Sequence, residues 1–331
     1  PDARRQRRPV DVVSAVSETL PARARVREVG PRDGFQNEPE VIATARKVEL
    51  IDALARTGLR RLEVTSFVRP DVIPQLADAA DVLAAIDVPG EVSVSVLIPN
   101  ERGLDTALAL LAEADGERGG RALFDEVNVF LSASETHNRE NVNRSVAESL
   151  DGLQRVLARA GEAGLRCEGV ISTSFGCPYE GEVPVERVLS IAAALRDAGA
   201  VEIGFGDTTG MANPRQVKEF FTRARGELGE VELTAHFHNT RGQGLANVLA
   251  ALEAGVDSFE SSFGELGGCP VPPGATGNIA TEDLVSMLHE MGIETGVELP
   301  ALLACTAAVQ QLLGRPLGSH TLVAGPVDWH R

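Results

Sequence analysis

The sequence predicts a (β/α)₈ TIM barrel, a closed sheet of eight parallel strands surrounded by helices. Short runs rich in β-branched residues alternate eight times with amphipathic stretches of helical period. Several helical stretches end in glycine, which adopts a left-handed cap without strain, as at Gly58, Gly164, Gly199 and Gly255. No linker or shift in composition separates the units, so one barrel is favoured over two domains.

Each predicted strand is followed by a predicted helix. The strands span residues 26–30, 60–67, 92–99, 125–134, 166–175, 201–207, 231–239 and 256–263. The helices span residues 45–58, 72–86, 102–114, 146–164, 185–199, 214–228, 244–255 and 281–292. The alternative fold is a doubly wound open sheet, for which we would expect a GxGxxG fingerprint after the first strand. Residues 30–34 do not supply that pattern.

The predicted barrel spans residues 23–295 and has a segment at either end. Residues 1–22 form a basic N-terminal arm without the apolar stretch of a secretory signal. Residues 296–331 form a C-terminal helical extension that we expect to pack on the barrel. No run of about 18 apolar residues is present, so a membrane span is not expected.

Composition is that of an ordinary soluble protein rather than of a polyanion-binding protein. The 331 residues are 43% hydrophobic and 24% charged, with a net charge of −17. Because this charge repels polyanions, nucleic acids and acidic membranes are not expected partners. The four cysteines, Cys167, Cys177, Cys269 and Cys305, form no CxxC pair. We therefore expect neither a zinc knuckle nor a disulfide framework, and we expect the reducing cytoplasm.

Polar residues collect at the predicted carboxyl ends of the strands, where barrels of this type carry their active sites. The first strand ends at Arg32 and Asp33, and the second contains Glu63. The sixth strand ends at Asp207, and the seventh at the HFHN stretch. These side chains are therefore predicted to converge on one mouth.

The HFHN stretch is the strongest indication of a metal site. Residues two apart in a strand share a face, so His236 and His238 lie side by side while Phe237 faces the helices. Two hydrogen-bonded histidines are the alternative interpretation. Asp33 and the amide oxygen of Asn278 would complete a mixed nitrogen and oxygen set suited to Mg²⁺ or Mn²⁺.

The glycine-rich segment 264–278 follows the last strand and contains Cys269. A buried, inert thiol is the ordinary interpretation of an isolated cysteine. The flanking glycines and the position at the catalytic rim favour a loop that closes over the mouth. The Cys269 thiol would then be a competent proton donor to an enolate.

Six motifs in order resemble the 3-hydroxy-3-methylglutaryl-CoA lyase family of the DRE-TIM metallolyases. They are VGPRDGFQNEP, EVTSFV, GCPYEG, GDTTG, HFHNTRGQGLAN and GGCPVPPGATGNIATEDLV, within residues 24 to 315. The resemblance implies a barrel that cleaves an acyl-CoA in a metal-assisted retro-Claisen reaction. It also implies that Asp33, His236, His238 and Asn278 hold a divalent cation.

The resemblance further implies roles for the remaining site residues. Arg32 would stabilise charge developing on the thioester carbonyl, and Cys269 would protonate the acetyl-CoA enolate. Glu63 and Asp207 would orient these groups or relay the hydroxyl proton. Gln36 would support the Arg32 loop. Arg27 and Glu28 are expected to be ordinary strand residues.

The sequence departs from the family in two places. Asn239, Thr240 and Arg241 follow the second histidine, where the family has Asp-Thr-Tyr. Arg241 is hypothesised either to contact an additional substrate carboxylate or to pair with a surface acid. Residues 271–273, Val-Pro-Pro, replace an aromatic and would stiffen the catalytic loop.

The polar stretch that follows the fourth strand is the predicted binding region for the CoA moiety. This stretch resembles the polar loop of the family, and its candidate CoA ligands are Asn138, Arg139, Asn141, Asn143 and Arg144. A solvated loop leading to a helix capped by Ser145 is the alternative. Cys177 and Tyr179 either line the site or serve only the turn after the fifth strand.

The expected partner is an acyl-CoA substrate, and a homodimer is the expected assembly. Two other functions stay open. One is a related lyase or condensing enzyme acting on another 3-hydroxyacyl-CoA, such as citramalyl-CoA, or on pyruvate with an aldehyde. The other is a metal-binding barrel without catalysis, against which Arg32 and Cys269 argue.

Overall fold

Eight parallel strands close into a barrel in chain order, with β1 pairing with both β2 and β8. The computed structural model describes residues 20–113, 122–268 and 276–329. The strands are β1 Arg25–Glu28, β2 Arg61–Ser66, β3 Ser93–Leu97, β4 Glu126–Ser132, β5 Arg166–Ser172, β6 Glu202–Asp207, β7 Glu232–Phe237 and β8 Ser258–Ser261. The predicted closed barrel is confirmed.

Helices surround the sheet and bury their apolar faces against it. In the described part of the chain they are α1 Thr44–Leu54, α2 Ala79–Ala85, α3 Glu101–Glu113, α4 Glu135–Val142, α5 Val146–Glu162, α6 Val185–Asp197, α7 Pro214–Leu228, α8 Gly244–Glu253, α9 Thr281–Glu290, α10 Leu299–Leu313 and α11 His320–Ala324. None of these helices is long and apolar enough to cross a membrane.

Helix α5 shows how the sequence fixes one of these elements. Ser145 accepts a hydrogen bond from the amide of Glu148, whose carboxylate accepts one from the amide of Ser145, which confirms the predicted cap. Leu153, Val156 and Leu157 recur at helical spacing and are buried. Burying each such side chain stabilises the fold by roughly 1.5–3 kcal/mol relative to exposure.

Two predicted boundaries are wrong. Residues 72–86 form a short 3₁₀ turn at Pro74–Leu76 and then α2, because Pro74 starts a new turn instead of continuing a helix. The stretch after β4 was predicted as a loop but contains α4. Ser134 caps the start of this helix and Asn143, with a φ of 54°, ends it.

The lower interior of the barrel contains charged side chains in place of the usual branched aliphatic layers. Arg27 is 1% exposed and forms ion pairs with four glutamates, Glu126, Glu168, Glu202 and Glu260. Arg61 pairs with Glu126 and Glu202 at 2.6 Å each. The prediction that Arg27 is an ordinary strand residue is therefore wrong, because it is the central cation of a buried network.

Glu28 faces the opposite way, into the helix layer, and is fully buried. Its Oε1 accepts hydrogen bonds from the amides of Gly30, at 2.7 Å, and Phe263, at 3.1 Å, and Oε2 accepts one from Thr281. Burial raises the pKa of Glu28 to about 8. The carboxyl group thus ties together the loops after β1 and β8, so Glu28 is also more than an ordinary strand residue.

The two helices of the C-terminal segment, α10 and α11, contact helices of the barrel. Helix α10 contacts α1 and α9, and α11 contacts α9 and α10. Asp283 of α9 accepts hydrogen bonds from Ser319 and from the amides of His320 and Thr321, which fixes the start of α11. The domain boundaries at residues 22 and 295 stay a prediction, and residues 1–19 of the arm lie outside the described part.

Candidate active site

The turn after β1 presents Arg32 and Asp33 to the mouth of the barrel. Residues Gly30–Gly34 form one π-helical turn, a form that is rare and often found at functional sites. A Cβ at Gly30 would lie 2.3 Å from the ring of Phe263. Only glycine therefore lets the chain turn here against the loop after β8, and this close approach sets the position of the next three residues.

Strand β7 and the residue after it supply two imidazoles. His236 faces the interior and Phe237 packs among buried phenylalanines, as the alternation predicts. His238 follows the strand and forms a β-bridge with Asn278. The Nε2 atoms of His236 and His238 are 3.1 Å apart, and ligand atoms of Asp33 and both histidines lie within 4.8 Å of one another.

The donor set fits a divalent cation. Burial, together with the neighbouring His236, lowers the pKa of His238 to about 3, so its imidazole is neutral at physiological pH. Nδ1 of His238 and Oδ1 of Asn278 are buried and have no hydrogen-bond partner among the described residues. Asn278 Nδ2 donates to Asp33 Oδ2 at 2.7 Å, which brings the amide to the cluster. One carboxylate, two imidazoles and an amide oxygen are ligands that Mg²⁺ and Mn²⁺ accept.

Glu260 orients one of the imidazoles. Its Oε2 lies 2.9 Å from Nδ1 of His236, so Nδ1 carries the proton and Nε2 presents its lone pair to the cluster. Burial alone would raise the pKa of Glu260, but the hydrogen bond from His236 and the charge of Arg27 lower it to about 2. The same contact raises the pKa of His236 against the opposing effect of burial.

Arg32 and Glu63 form a buried ion pair beside the cluster. Arg32 Nε donates to Glu63 Oε1, and Nη1 donates to Asp33 Oδ1 at 2.7 Å. Burial opposes the cation, but the two carboxylates raise the pKa of Arg32 above its usual value. Asn128 donates to the other oxygen of Glu63 at 3.1 Å. Arg32 is therefore a permanent cation with its side chain fixed from two sides.

These groups line one cavity of about 290 Å³ at the carboxyl ends of the strands. Its polar wall includes Arg32, Asp33, Gln36, Glu63, Asn128, His236 and His238. Its apolar wall includes Val68, Ile73, Leu97, Phe130 and Val170. The cavity can bind a small ligand with one charged end and one apolar end.

Gln36 and Asp207 hold loops at the rim. Gln36 donates to Asp33 Oδ1 at 2.7 Å, so it supports the first loop through Asp33. Oδ1 of Asp207 accepts from the amides of Met211 and Ala212, and Oδ2 is buried with no partner within residues 20–113, 122–268 and 276–329. Burial raises the pKa of Asp207 to about 7. Asp207 is not among the cavity-lining residues of the described chain, so the structure assigns it a loop-fixing contact.

The predicted CoA ligands after β4 have different environments. Asn141 lines the cavity, but Asn138 is buried and its amide bonds Ser132, Arg144 and Ser149. Arg139 is exposed and pairs with Glu135. Asn143 supplies the left-handed cap of α4. The geometry therefore supports a ligand contact for Asn141 and gives Asn138 a structural role instead, because its amide is used inside the loop.

Two residues that depart from the family pattern, Asn239 and Arg241, form hydrogen bonds within the protein. Arg241 is exposed and its Nη1 donates to the carbonyl oxygens of Thr209 and Gly210, each at 2.8 Å. No ion pair of Arg241 with an acid occurs among the described residues, and both alternatives for this side chain stay predictions. Asn239 donates to Glu265, a non-glycine residue with a φ of 61°. An aspartate at 239 would place a second carboxylate there, which accounts for the amide.

Sequence reasoning missed Glu260 and Asn128, and it misjudged Arg27. The missing signal was register: Glu260 pairs with His236 across β7 and β8 and with Arg27 across β8 and β1. Alternation along each strand then places all three side chains inside the barrel. Cys269 and residues 271–273 lie outside the described residues.

The fold and the site together define a (β/α)₈ barrel of the enzyme class that carries its reactive groups at the carboxyl ends of the strands, here with a side-chain cluster suited to a metal ion. The HMGL-like family model matches residues 23–309. The chain belongs to the HMGL-like family.

The names of similar proteins support the assignment to the HMGL-like family. Hydroxymethylglutaryl-CoA lyase YngG of Bacillus subtilis is 46% identical over 302 residues, which cover 91% of this chain and 97% of the relative. The mitochondrial hydroxymethylglutaryl-CoA lyase of Rattus norvegicus is 42% identical over 301 residues, covering 91% of this chain and 89% of the relative.

Two similar solved structures are also named as HMG-CoA lyases. The crystal structure of the Bacillus subtilis HMG-CoA lyase superposes with a TM-score of 0.86 at 45% identity, covering 92% of this chain and 98% of that chain. An HMG-CoA lyase from Acinetobacter baumannii, in complex with coenzyme A and 3-methylmalate, superposes with a TM-score of 0.85 at 39% identity. That match covers 94% of this chain and 98% of that chain.

Proposed function

We propose that this protein is a carbon–carbon lyase that cleaves 3-hydroxy-3-methylglutaryl-CoA to acetyl-CoA and acetoacetate with the help of a divalent cation. The observation that carries the proposal is the cluster of Asp33, His236 and His238 beside the Arg32–Glu63 pair in one cavity. Membership of the HMGL-like family and the names of the relatives support the same reaction.

The reaction breaks the bond between C2 and C3 of the acyl group. The C3 hydroxyl loses its proton and becomes the ketone of acetoacetate, while the bonding electrons pass to C2 and form the enolate of acetyl-CoA. A proton added at C2 completes the balance. Two developing negative charges therefore need stabilisation, one on the C3 oxygen and one on the thioester oxygen.

The cation would be held by Asp33, His236, His238 and Asn278, and when bound it supplies Lewis-acid stabilisation of negative charge on oxygen. Mg²⁺ or Mn²⁺ is the proposed ion on the basis of the mixed oxygen and nitrogen ligands. Gln36 and Asn278 each donate to Asp33 and thereby hold it in place.

Arg32 is proposed to stabilise the charge on the thioester oxygen. Its guanidinium is fixed by Glu63 and Asp33 and lines the cavity, so little reorganisation is needed when charge develops. Cys269 is proposed as the acid that protonates C2. Its segment follows Gly267 and Gly268, of which Gly267 lines the cavity.

Asp207 is proposed as the base that takes the hydroxyl proton, because burial raises its pKa. Asp207 has a pKa raised to about 7, which suits proton transfer near neutral pH. Because Asp207 is not among the described residues that line the cavity, the proposed transfer would pass through a water molecule. Glu63 is paired with Arg32, so its proposed role is to orient that side chain.

An acyl-CoA substrate, a homodimer and a cytoplasmic location are also proposed. The complex of the Acinetobacter relative with coenzyme A supports the first. Asn141, at the cavity rim, is the best-placed candidate for a CoA contact, and Arg241 and Arg139 are candidates outside the cavity. Light scattering of the purified protein would test the homodimer.

The deciding experiment incubates the protein with 3-hydroxy-3-methylglutaryl-CoA and Mg²⁺ and measures acetoacetate and acetyl-CoA. Equal amounts of the two products, lost in EDTA and restored by Mg²⁺ or Mn²⁺, are expected. Citramalyl-CoA is the comparison substrate. Faster acetyl-CoA release from citramalyl-CoA would contradict the proposed substrate but keep the lyase chemistry.

A further inference from the structure

A series of buried contacts joins Arg27, in the charged lower interior of the barrel, to the candidate metal centre. Arg27, Glu260 and His236 are register partners on the adjacent strands β1, β8 and β7. Arg27 Nη1 lies 2.7 Å from Glu260 Oε1, and Glu260 Oε2 lies 2.9 Å from His236 Nδ1. One oxygen of Glu260 therefore contacts the cation of Arg27, and the other contacts His236, a predicted metal ligand.

Glu260 needs Arg27 because a carboxylate in the dry interior of a barrel requires a compensating charge. Both side chains are at most 3% exposed. Leaving one charge of such a pair without its partner is strongly unfavourable. Arg27 thus holds Oε1 of Glu260 and fixes the carboxylate in the orientation that leaves Oε2 to accept a hydrogen bond from His236.

His236 in turn depends on Glu260. The hydrogen bond places the imidazole proton on Nδ1 and turns Nε2 toward His238 and Asp33. Partners of this kind typically change metal affinity by 10–100-fold when they are removed. We infer that Arg27 is a positioning residue for metal binding, acting on His236 through Glu260. This inference rests on the proposed metal site of the lyase.

Arginine suits this position better than lysine. The same guanidinium also contacts Glu168 through Nη1 and lies 3.5 Å from Glu126 and Glu202 through Nη2. A planar fork can serve several carboxylates at once, whereas an ammonium is a single point charge on a flexible stem. Lysine at position 27 would therefore keep the charge and lose the fixed direction toward Glu260.

Arg61 offers a matched control in the same interior. It pairs with Glu126 and Glu202, which it shares with Arg27, and it has no ion pair with Glu260 among the described residues. If a substitution of Arg27 only disturbs packing or charge in the lower interior, the same substitution of Arg61 should have the same effect on metal binding. If the substitution acts through Glu260, only the Arg27 variant should show the effect.

The experiment measures the dissociation constant for Mn²⁺ by calorimetry or electron paramagnetic resonance, without substrate. The variants are Arg27→Lys, Glu260→Gln, the double variant and Arg61→Lys, each with its melting temperature recorded. We expect Arg27→Lys and Glu260→Gln to weaken Mn²⁺ binding by about 10–100-fold. Arg61→Lys should stay within about twofold of wild type, because Arg61 has no ion pair with Glu260 among the described residues and so lacks the contact that reaches His236.

The double variant tests the route of the effect. If Arg27 acts through Glu260, the double variant should bind Mn²⁺ no more weakly than the worse single variant. Additive losses, an unchanged affinity in Arg27→Lys or an equal loss in Arg61→Lys would overturn the inference. If Arg27→Lys does not fold, wild-type affinity in Glu260→Gln would overturn it. Wild-type protein that binds no Mn²⁺ would instead contradict the proposed metal site itself.

Discussion

Asn278 donates a hydrogen bond of 2.7 Å to Asp33, which lies 245 residues earlier in the chain. The same amide nitrogen donates to the carbonyl oxygen of Leu266 at 2.9 Å, while Oδ1 of Asn278 has no partner in the part of the chain that the structure describes. One side chain thus connects the turn after β1 to the segment after β8 and leaves an acceptor at the predicted metal site.

The first prediction concerns this connection. Asn278→Ala removes a proposed ligand and one hydrogen bond to Asp33, so Mn²⁺ affinity should fall at least about tenfold. Calorimetry on the folded variant would measure it. Asn100→Ala is the control, because it removes only a hydrogen bond to the amide of Gly103, a residue that does not line the described cavity. Equal affinities of Asn278→Ala and wild type would contradict a ligand role.

The second prediction concerns Arg32. Arg32→Lys retains a positive charge but loses the fork that contacts Glu63 and Asp33 together. Since this cation is proposed to meet charge that develops in the transition state, kcat should fall about 10²–10³-fold with a smaller change in KM. Steady-state kinetics with 3-hydroxy-3-methylglutaryl-CoA would show this.

The control for Arg32 is Arg46→Lys, in an exposed pair with Glu49 that is more than half accessible to solvent. Its kcat should match that of wild type. A similar fall in both variants would indicate a general loss of structure, and no fall in Arg32→Lys would remove Arg32 from the chemistry.

The third prediction separates the Glu63 side of the site from the metal side. Asn128→Val removes the donor to Glu63 Oε2 and keeps a similar shape on the cavity wall. We expect kcat to fall about tenfold, in line with the loss of one hydrogen bond to a charged group, with Mn²⁺ affinity unchanged. Ser95→Ala, on the neighbouring strand β3, is the control. A weakened Mn²⁺ affinity in Asn128→Val would show that the two sides are coupled.

The fourth prediction concerns pH and stability. The pKa of Glu28 is raised to about 8 in the fold, above its value in the unfolded chain. As pH rises from about 4.5 to about 8, the unfolded chain releases this proton and the folded protein retains it. Glu28 therefore contributes a fall in the free energy of unfolding of up to about 1.4 kcal/mol per pH unit in that window.

Glu28→Gln should remove that contribution and flatten the pH dependence of denaturant unfolding between pH 5 and 8, as the linkage relation requires. Glu140→Gln, at an exposed acid in α4, should leave the dependence unchanged. A Glu28→Gln protein with the slope of wild type would mean that Glu28 is ionised in the fold throughout this range.

Much of the site follows from local sequence combined with the barrel fold. The alternation of HFHN places His236 inside the barrel and Phe237 outside it, and a GPRDG turn after a strand presents Arg32 and Asp33 at the mouth. These positions depend on the two-residue period of a strand and on the rule that parallel strands end at one face. Both are properties of short segments, so the sequence was enough to predict them.

The partners of those residues depended on the tertiary structure. Glu260 became a support for His236, and Arg27 the centre of a buried network, only because β1, β7 and β8 close with one particular register. Asn138, expected to meet CoA, was instead used inside its own loop because α4 formed there. By itself the sequence determined the eight strands, most of the helices and the ends at which reactive groups gather. Which buried charges face each other was decided by the closed barrel, because register and side-chain direction arise only when distant strands pair.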